Sequence, residues 1–161
     1  MRTRRLATVT AAGAIVAGAA LLFPASAQAA PTYWTFKNGQ FGTCLTAGVT
    51  DAAYATVCNG GSHQQWDWIG VSGDYNQLKN RATGRCLMTD NKSALNKVWM
   101  STCNSSATGQ QWRYDAAAYK IQGLPGGRND SLLRTSRTKD AVYSTQDRTE
   151  DDAYYIWKGS H

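Results

Sequence analysis

Downstream of residue 31, apolar and polar positions alternate in short runs. No long stretch places apolar residues at i, i+3 and i+4. Instead, segments rich in Val, Ile, Thr, Tyr and Trp are broken by Asn-Gly, Gly-Gly and Asn-Asp pairs, a pattern of strands and tight turns. The runs predict strands at 33–36, 44–46, 53–57 and 65–69, then at 77–79, 86–88, 97–101 and 111–114, and finally at 119–122, 132–134, 141–145 and 155–157. They fall into three groups of four. The same phrase recurs in each group: a Cys-Leu or Leu-Leu step, then an alternating strand, then a tryptophan. Trp66, Trp112 and Trp157 are separated by 46 and then 45 positions, a period that marks an internal repeat. The copies run over about 32–72, 73–115 and 116–161.

An all-β chain with four short strands in each of three copies predicts a β-trefoil, a small closed barrel capped by three hairpins. Closure removes exposed strand edges. In that arrangement Phe36, Leu78 and Ile121 occupy matched places and point into the barrel, as do Leu45, Leu87 and Leu133. The three tryptophans form a central layer with one contribution from each copy. Gln64 and Gln110 precede two of them by two positions. A glutamine there can bond backbone groups that closure would otherwise bury unpaired. Tyr155 stands at the third such place, where that bond is replaced or lost.

The first 29 residues read as a secretory signal peptide, outside the fold. Arg2, Arg4 and Arg5 precede an apolar run to Phe23, and Ala27-Gln28-Ala29 forms a small-x-small cleavage site. The remaining segment, 30–161, is the length of one domain. The whole chain carries a formal charge of +6. Seventeen basic residues less the three leader arginines leave 14 against 11 acidic ones, a net of about +3, which makes no case for nucleic acid. No membrane span is expected in the mature chain. Export makes the four cysteines a disulfide framework. The economical pairing lies within each copy, Cys44–Cys58 and Cys86–Cys103, each closing a loop of roughly 15 residues worth about 3 kcal/mol. There is no CxxC, and His63 is the only nearby histidine, so neither metal nor cofactor is expected. The third copy has no cysteine and is expected to be the least constrained.

Gln64-Gln65-Trp66 and Gln110-Gln111-Trp112, taken with Arg85-Cys86-Leu87 and Cys58-Asn59-Gly60-Gly61, resemble the QxW repeats of ricin-type lectins and family-13 carbohydrate-binding modules. The resemblance implies a β-trefoil that binds sugars through up to three shallow pockets. Each pocket would use an aspartate after Cys-Leu, an aromatic two places before the second cysteine, and an asparagine just before the QxW. In this chain the aspartate place holds Thr46, Met88 and Arg134. The aromatic place holds Thr56, Ser101 and, in the third copy, Thr145 or a neighbour, and the asparagine place His63, Gly109 and Tyr154. No copy keeps any of the three, so the family's usual sites are absent or rebuilt.

Two features are candidates for rebuilt sites. Tyr54, Trp99 and Tyr143 each lie four places before the second cysteine position, and alternation puts them on the face of the lost stacking residue. They either offer sugar platforms or cover the loop and disulfide beneath them. Asp90 and Asn91 lie just beyond the aspartate place of the second copy, with Asp51 and Asp140 in the comparable loops. They either turn toward Trp99 as ligands or simply form a turn. The acids Glu150, Asp151 and Asp152 read as a solvated face, and the basic set Arg128, Arg134, Arg137 and Lys139 as ordinary surface. Asn91, Asn104 and Asn129 head Asn-x-Ser sequons. His63 has no nucleophile partner, and catalysis is not expected. The leading expectation is a secreted, extracellular, non-catalytic carbohydrate-binding domain with a glycan or polysaccharide as partner. The alternative is a protein-interaction module, an inhibitor or the targeting subunit of a secreted complex. Trp99 discriminates them: a sugar platform needs acidic or amide neighbours, whereas a protein patch needs apolar ones such as Tyr54 or Met100.

Overall fold

The computed structural model describes residues 33–124, 131–138 and 140–161, with the side chains of residues 71 and 72 left aside. The signal-peptide expectation, the Asn129 sequon, Arg128 and Lys139 fall outside the described residues. Among those described, twelve strands run in three groups of four. The first group is β1 (Thr35–Asn38), β2 (Cys44–Ala47), β3 (Ala53–Thr56) and β4 (Trp66–Ser72). The second is β5 (Tyr75–Asn80), β6 (Cys86–Thr89), β7 (Leu95–Ser101) and β8 (Trp112–Asp115). The third is β9 (Lys120–Gly123), β10 (Ser131–Thr135), β11 (Val142–Thr145) and β12 (Trp157–Ser160).

Six strands close a ring. The first and last strands meet where β1 pairs antiparallel with β12. The ring continues through β4–β5, β5–β8 and β8–β9. The Trp34–Trp66 bridge joins the first and fourth strands, and Trp157 N–H donates to Tyr119 O at 2.7 Å to join the last to the ninth. The hairpins β2–β3, β6–β7 and β10–β11 form the cap. Bridges at Ala52–Trp99 and Tyr54–Ala141, with the β7–β11 pairing, draw the hairpins together. This is the β-trefoil.

The core follows the repeat. Trp66, Trp112 and Trp157 are fully buried. Each indole Nε1 donates to the carbonyl of the matched leucine, Leu45, Leu87 or Leu133, at 3.0, 2.9 and 3.0 Å. Each ring therefore fills the core while its one donor is satisfied. Phe36, Leu78 and Ile121 have no exposed surface either. Both intra-copy disulfides, Cys44–Cys58 and Cys86–Cys103, are formed.

The strand boundaries differ where the glutamines sit. Gln64 and Gln110 end one-turn 3-10 segments, Ser62–Gln64 and Thr108–Gln110, and strand pairing begins only at the tryptophans. Gln64 donates to Val57 O at 2.9 Å and accepts from Asn59 N–H at 2.8 Å. Gln110 does the same with Thr102 O and Asn104 N–H, both at 2.8 Å. In the third copy, Tyr155 lies just after the 3-10 segment Asp152–Tyr154 and ahead of the last strand. Its hydroxyl donates to Asp147 O at 3.2 Å and accepts from Glu150 N–H at 3.4 Å. One phenol oxygen thus takes over both jobs of the amide.

Between copies, Asn80 donates to His63 O and Gln65 O and accepts from Ala82 and Thr83 N–H. Asn38 makes the matching set with Tyr154 O, Ile156 O and the N–H groups of Gln40 and Phe41.

Candidate functional site

The three places where the resemblance puts sugar pockets are filled. In the first copy Thr46 is buried. Its hydroxyl donates to Cys44 O at 2.8 Å and accepts from Gln64 Nε2 at 3.2 Å, and His63 Nδ1 lies 2.8 Å from Ala47 O. In the second copy Gly109 stands so close to β6 that an added Cβ would lie 1.9 Å from Thr89 O, so no side chain fits there. In the third copy Arg134 is buried, only 8% exposed. Its Nη1 donates to Thr135 O at 2.8 Å, and the guanidinium lies 5.6 Å from the centre of the Tyr143 ring. Arg134 is therefore not the surface residue its basic neighbours suggest: the ring and the carbonyl hold it inside.

Tyr54, Trp99 and Tyr143 are all half-buried. Each is the direct cross-strand partner of the residue at the lost aspartate place: Thr46 opposite Tyr54, Met88 opposite Trp99, Arg134 opposite Tyr143. Opposed side chains in an antiparallel pair stand about 5 Å apart at Cβ. Each ring therefore flanks the old pocket. Tyr143 lies against Arg134. Tyr54 packs beside the turn at Gly48, where an added Cβ would come within 3.5 Å of its ring.

Trp99 lines a surface depression. Asp51, Asp90 and Lys97 share it, in a volume of about 260 Å³. Three local features assemble these residues. Lys97 lies two positions before Trp99 on β7, hence on the same face. Met100 N–H donates to Asp51 O at 2.6 Å, and Ala52 bridges to Trp99, so the first copy's loop is drawn against the second copy's strand. Asp90 follows β6 directly and precedes Asn91, whose φ of 48° turns the chain.

Asn91 does not line the depression. Its Nδ2 donates to Leu124 O at 2.9 Å, and its Oδ1 accepts from the Ser144 hydroxyl at 3.2 Å. Asn91 thus ties the second copy to the third and fixes the turn that leaves Asp90 exposed. Two carboxylates and an ammonium line the depression together with a half-buried indole. The ring can take the C–H face of a sugar, the carboxylates can accept from its hydroxyls, and the ammonium can donate. Sequence reasoning named Asp90, Trp99 and Asp51 but gave Lys97 no role, although its offset of two from Trp99 carried the signal.

A barrel of six strands, a three-hairpin cap and a threefold tryptophan layer define a β-trefoil. The ricin-type beta-trefoil lectin domain matches residues 22–112, more than half of the sequence, and the chain belongs to that family. No curated protein matches the sequence. Among solved structures, the designed 3-fold symmetric protein ThreeFoil is similar at a TM-score of 0.64 and 20% identity, over 80% of this chain and 98% of that one. The Macrolepiota procera ricin B-like lectin, solved in complex with lactose, is similar at a TM-score of 0.62 and 14% identity, over 83% and 98%. An exo-beta-1,3-galactanase from Clostridium thermocellum matches at a TM-score of 0.63 and 19% identity, over 78% of this chain but only 30% of that one. At these identities the likeness is one of fold.

Proposed function

We propose that the protein is a secreted, non-catalytic carbohydrate-binding domain. Its sugar contact has moved from the family's pockets to the depression around Trp99. The observation that carries this reading is the setting of Trp99: a half-buried indole with Asp51, Asp90 and Lys97 at its edge. Its chain neighbour Met100 is fully buried and gives the patch no apolar border. The lactose complex of the Macrolepiota procera protein lends the class support, and two formed disulfides suit an oxidising, extracellular compartment. One such shallow site is weak, so useful retention on a repeating glycan requires several contacts at once.

The test is a screen of the oxidised protein against immobilised glycans and insoluble polysaccharides, with Trp99→Ala and Asp90→Asn alongside. Binding that free sugar displaces, and that falls about tenfold or more in Trp99→Ala, supports the reading. Loss of one ring contact of about 1.4 kcal/mol gives that factor. Silence across the panel from a folded protein rejects it.

A protein partner is the second reading. Phe41 and Val57, 50% and 75% exposed, border an apolar depression of about 270 Å³ between the first and third copies. Exposed apolar groups of this kind suit protein contact.

A further inference from the structure

A wide depression on the described surface lies away from the hairpin cap, at the open end of the barrel. It measures about 640 Å³, within the roughly 300–1,000 Å³ of ligand pockets. Its floor is a second aromatic layer. Trp68 and Tyr114 stand two positions beyond the buried tryptophans of the first and second copies. The matching place in the third copy is Gly159. A Cβ on Gly159 would come within 2.9 Å of the Trp34 ring and 3.1 Å of the Phe36 ring. Trp34, from the opposite end of the domain, therefore occupies the volume that a third aromatic would fill. The three rings surround buried Phe36: Trp34 stacks on it at 5.9 Å, Trp68 meets it edge-on at 6.0 Å and Tyr114 at 5.3 Å.

The rim is polar and not threefold. The β4–β5 hairpin has strands of seven and six residues, against four and four for β8–β9. It forms a wall that the other copies lack and carries Asp74 and Asn76 into the groove. Arg113 and Asp115 on β8 complete the rim. The guanidinium is already engaged: Arg113 Nε donates to Gln122 Oε1 at 2.5 Å and the group lies 5.5 Å from the Tyr75 ring. Asp115 Oδ1 accepts from the N–H groups of Ala117 and Ala118 at 3.0 Å. Gln122 and Tyr75 are neutral and leave the guanidinium its charge, so two carboxylates against one guanidinium give the groove lining an excess of one negative charge.

The geometry points to a second saccharide site at the barrel mouth, one that takes glycans without acidic groups. It rests on the carbohydrate-binding reading and adds a surface to it. A pyranose lays its C–H face on one of the two rings, Trp68 or Trp34, and sets its edge against the other, because the indoles are steeply inclined to each other. Its hydroxyls donate to Asp74 and Asp115 and pair with the Asn76 amide. Uronate and sulfated sugars are repelled by the two carboxylates. Two sites at opposite ends of one domain would let a single molecule bridge glycan chains.

The six indole N–H groups separate the possibilities by NMR. Those of Trp66, Trp112 and Trp157 are bonded to leucine carbonyls in the core and serve as internal references. The oxidised protein is titrated with xylo-oligosaccharide, N-acetylated chito-oligosaccharide and oligogalacturonate, with signals assigned by Trp→Phe variants. The expected result is a saturable shift of Trp34 and Trp68 with a neutral oligosaccharide, absent with oligogalacturonate. Asp74→Asn, an exposed change in a turn, is expected to weaken that binding at least threefold without altering the folded spectrum. Neutral sugars that move Trp99 but leave Trp34 and Trp68 still would overturn the second site and spare the first. Oligogalacturonate that binds the mouth as well as neutral sugars do, or Asp74→Asn without effect, also overturns the proposal. Shifts at Trp34 and Trp68 alone would uphold it and remove the depression at Trp99.

Discussion

Met88 on β6 lies directly opposite Trp99 on β7. A methionine at the family's aspartate place and an indole across from it turn a polar pocket into a mixed one. The carboxylate needed for sugar hydroxyls then has to come from elsewhere, and Asp90 and Asp51 are the groups that share the depression with the ring. The pairing also explains why the second copy differs from its neighbours. Tyr143 faces a guanidinium and Tyr54 a threonine held by Gln64.

Gly109 shows that the old pocket cannot be restored by simple reversion. An added Cβ would lie 1.9 Å from Thr89 O, a backbone atom with little room to yield. Gly109→Ala is expected to cost about 3 kcal/mol or more, at or beyond the upper end of ordinary overpacking. Gly109→Asn, which would recreate the family's amide, is expected to cost more still. Urea denaturation of the oxidised protein measures both. An Ala variant within 0.5 kcal/mol of the parent, roughly the scatter of neutral surface changes, would show that β6 moves away freely.

Tyr155 offers a comparison between two ways of meeting one need. Tyr155→Phe removes a hydroxyl that both donates and accepts at a backbone turn and is expected to cost about 1–2 kcal/mol. Gln110→Leu removes shorter bonds, both at 2.8 Å, and also leaves Gln77 Nε2 without its partner. It is expected to cost more, about 2–4 kcal/mol. Thermal denaturation ranks them; a reversed order would mean the third turn depends on its phenol more than the distances imply.

The threefold was legible because the repeat writes its core at a fixed period: Trp66, Trp112 and Trp157 mark three matching places, and the leucines that accept from them mark three more. The Asn-Gly and Gly-Gly pairs marked turns, and in the structure Gly42, Gly60 and Gly84 turn the chain at positive φ. What local pattern could not show was anything decided by closure. The 3-10 segments before Trp66 and Trp112 have one turn each, too few residues for a helical period, so the alternation predicts strands that start a residue early. The aromatic layer at the barrel mouth was invisible because its third member, Trp34, fills space left by Gly159, on a strand that pairs with the adjoining β1 only after the ring closes. Asp90 and Trp99 were named together from offset alone, but the role of Asn91 depends on Leu124 and Ser144 in the next copy.

The two disulfides close loops of 14 and 17 positions. In the chain-entropy account that difference is worth only about 0.2 kcal/mol. Replacing Cys44 and Cys58 together by alanine, or Cys86 and Cys103 together, is therefore expected to destabilise by nearly the same amount, about 3 kcal/mol each. Losses that differ by more than about 1 kcal/mol, seen in matched denaturation curves, would show that native packing rather than loop closure sets the value. The buried halves are Cys44 and Cys86, 1% and 0% exposed, so packing losses at those ends should match as well.

Tyr114 gives the fold an alkaline limit. Its hydroxyl donates to Trp157 O at 2.9 Å and accepts from Gly159 N–H at 2.9 Å. Burial, the largest influence, pushes its pKa above the ordinary 10.0. The bond from the Gly159 N–H pulls the other way, and the nearby charges of Tyr119 and Asp115 add to the rise. Ionisation would also set a phenolate against the Trp157 carbonyl. A group whose folded pKa lies above its unfolded value binds its proton more tightly in the folded state. Its contribution is fully present below the unfolded pKa and is lost as pH rises through the folded one. Stability is thus expected to fall as pH climbs past about 10, with Tyr114→Phe removing part of that slope while lowering the plateau at neutral pH. Urea midpoints across the alkaline range test this, together with phenolate absorbance to find a late-titrating tyrosine. A slope unchanged in Tyr114→Phe would assign the alkaline limit to other groups.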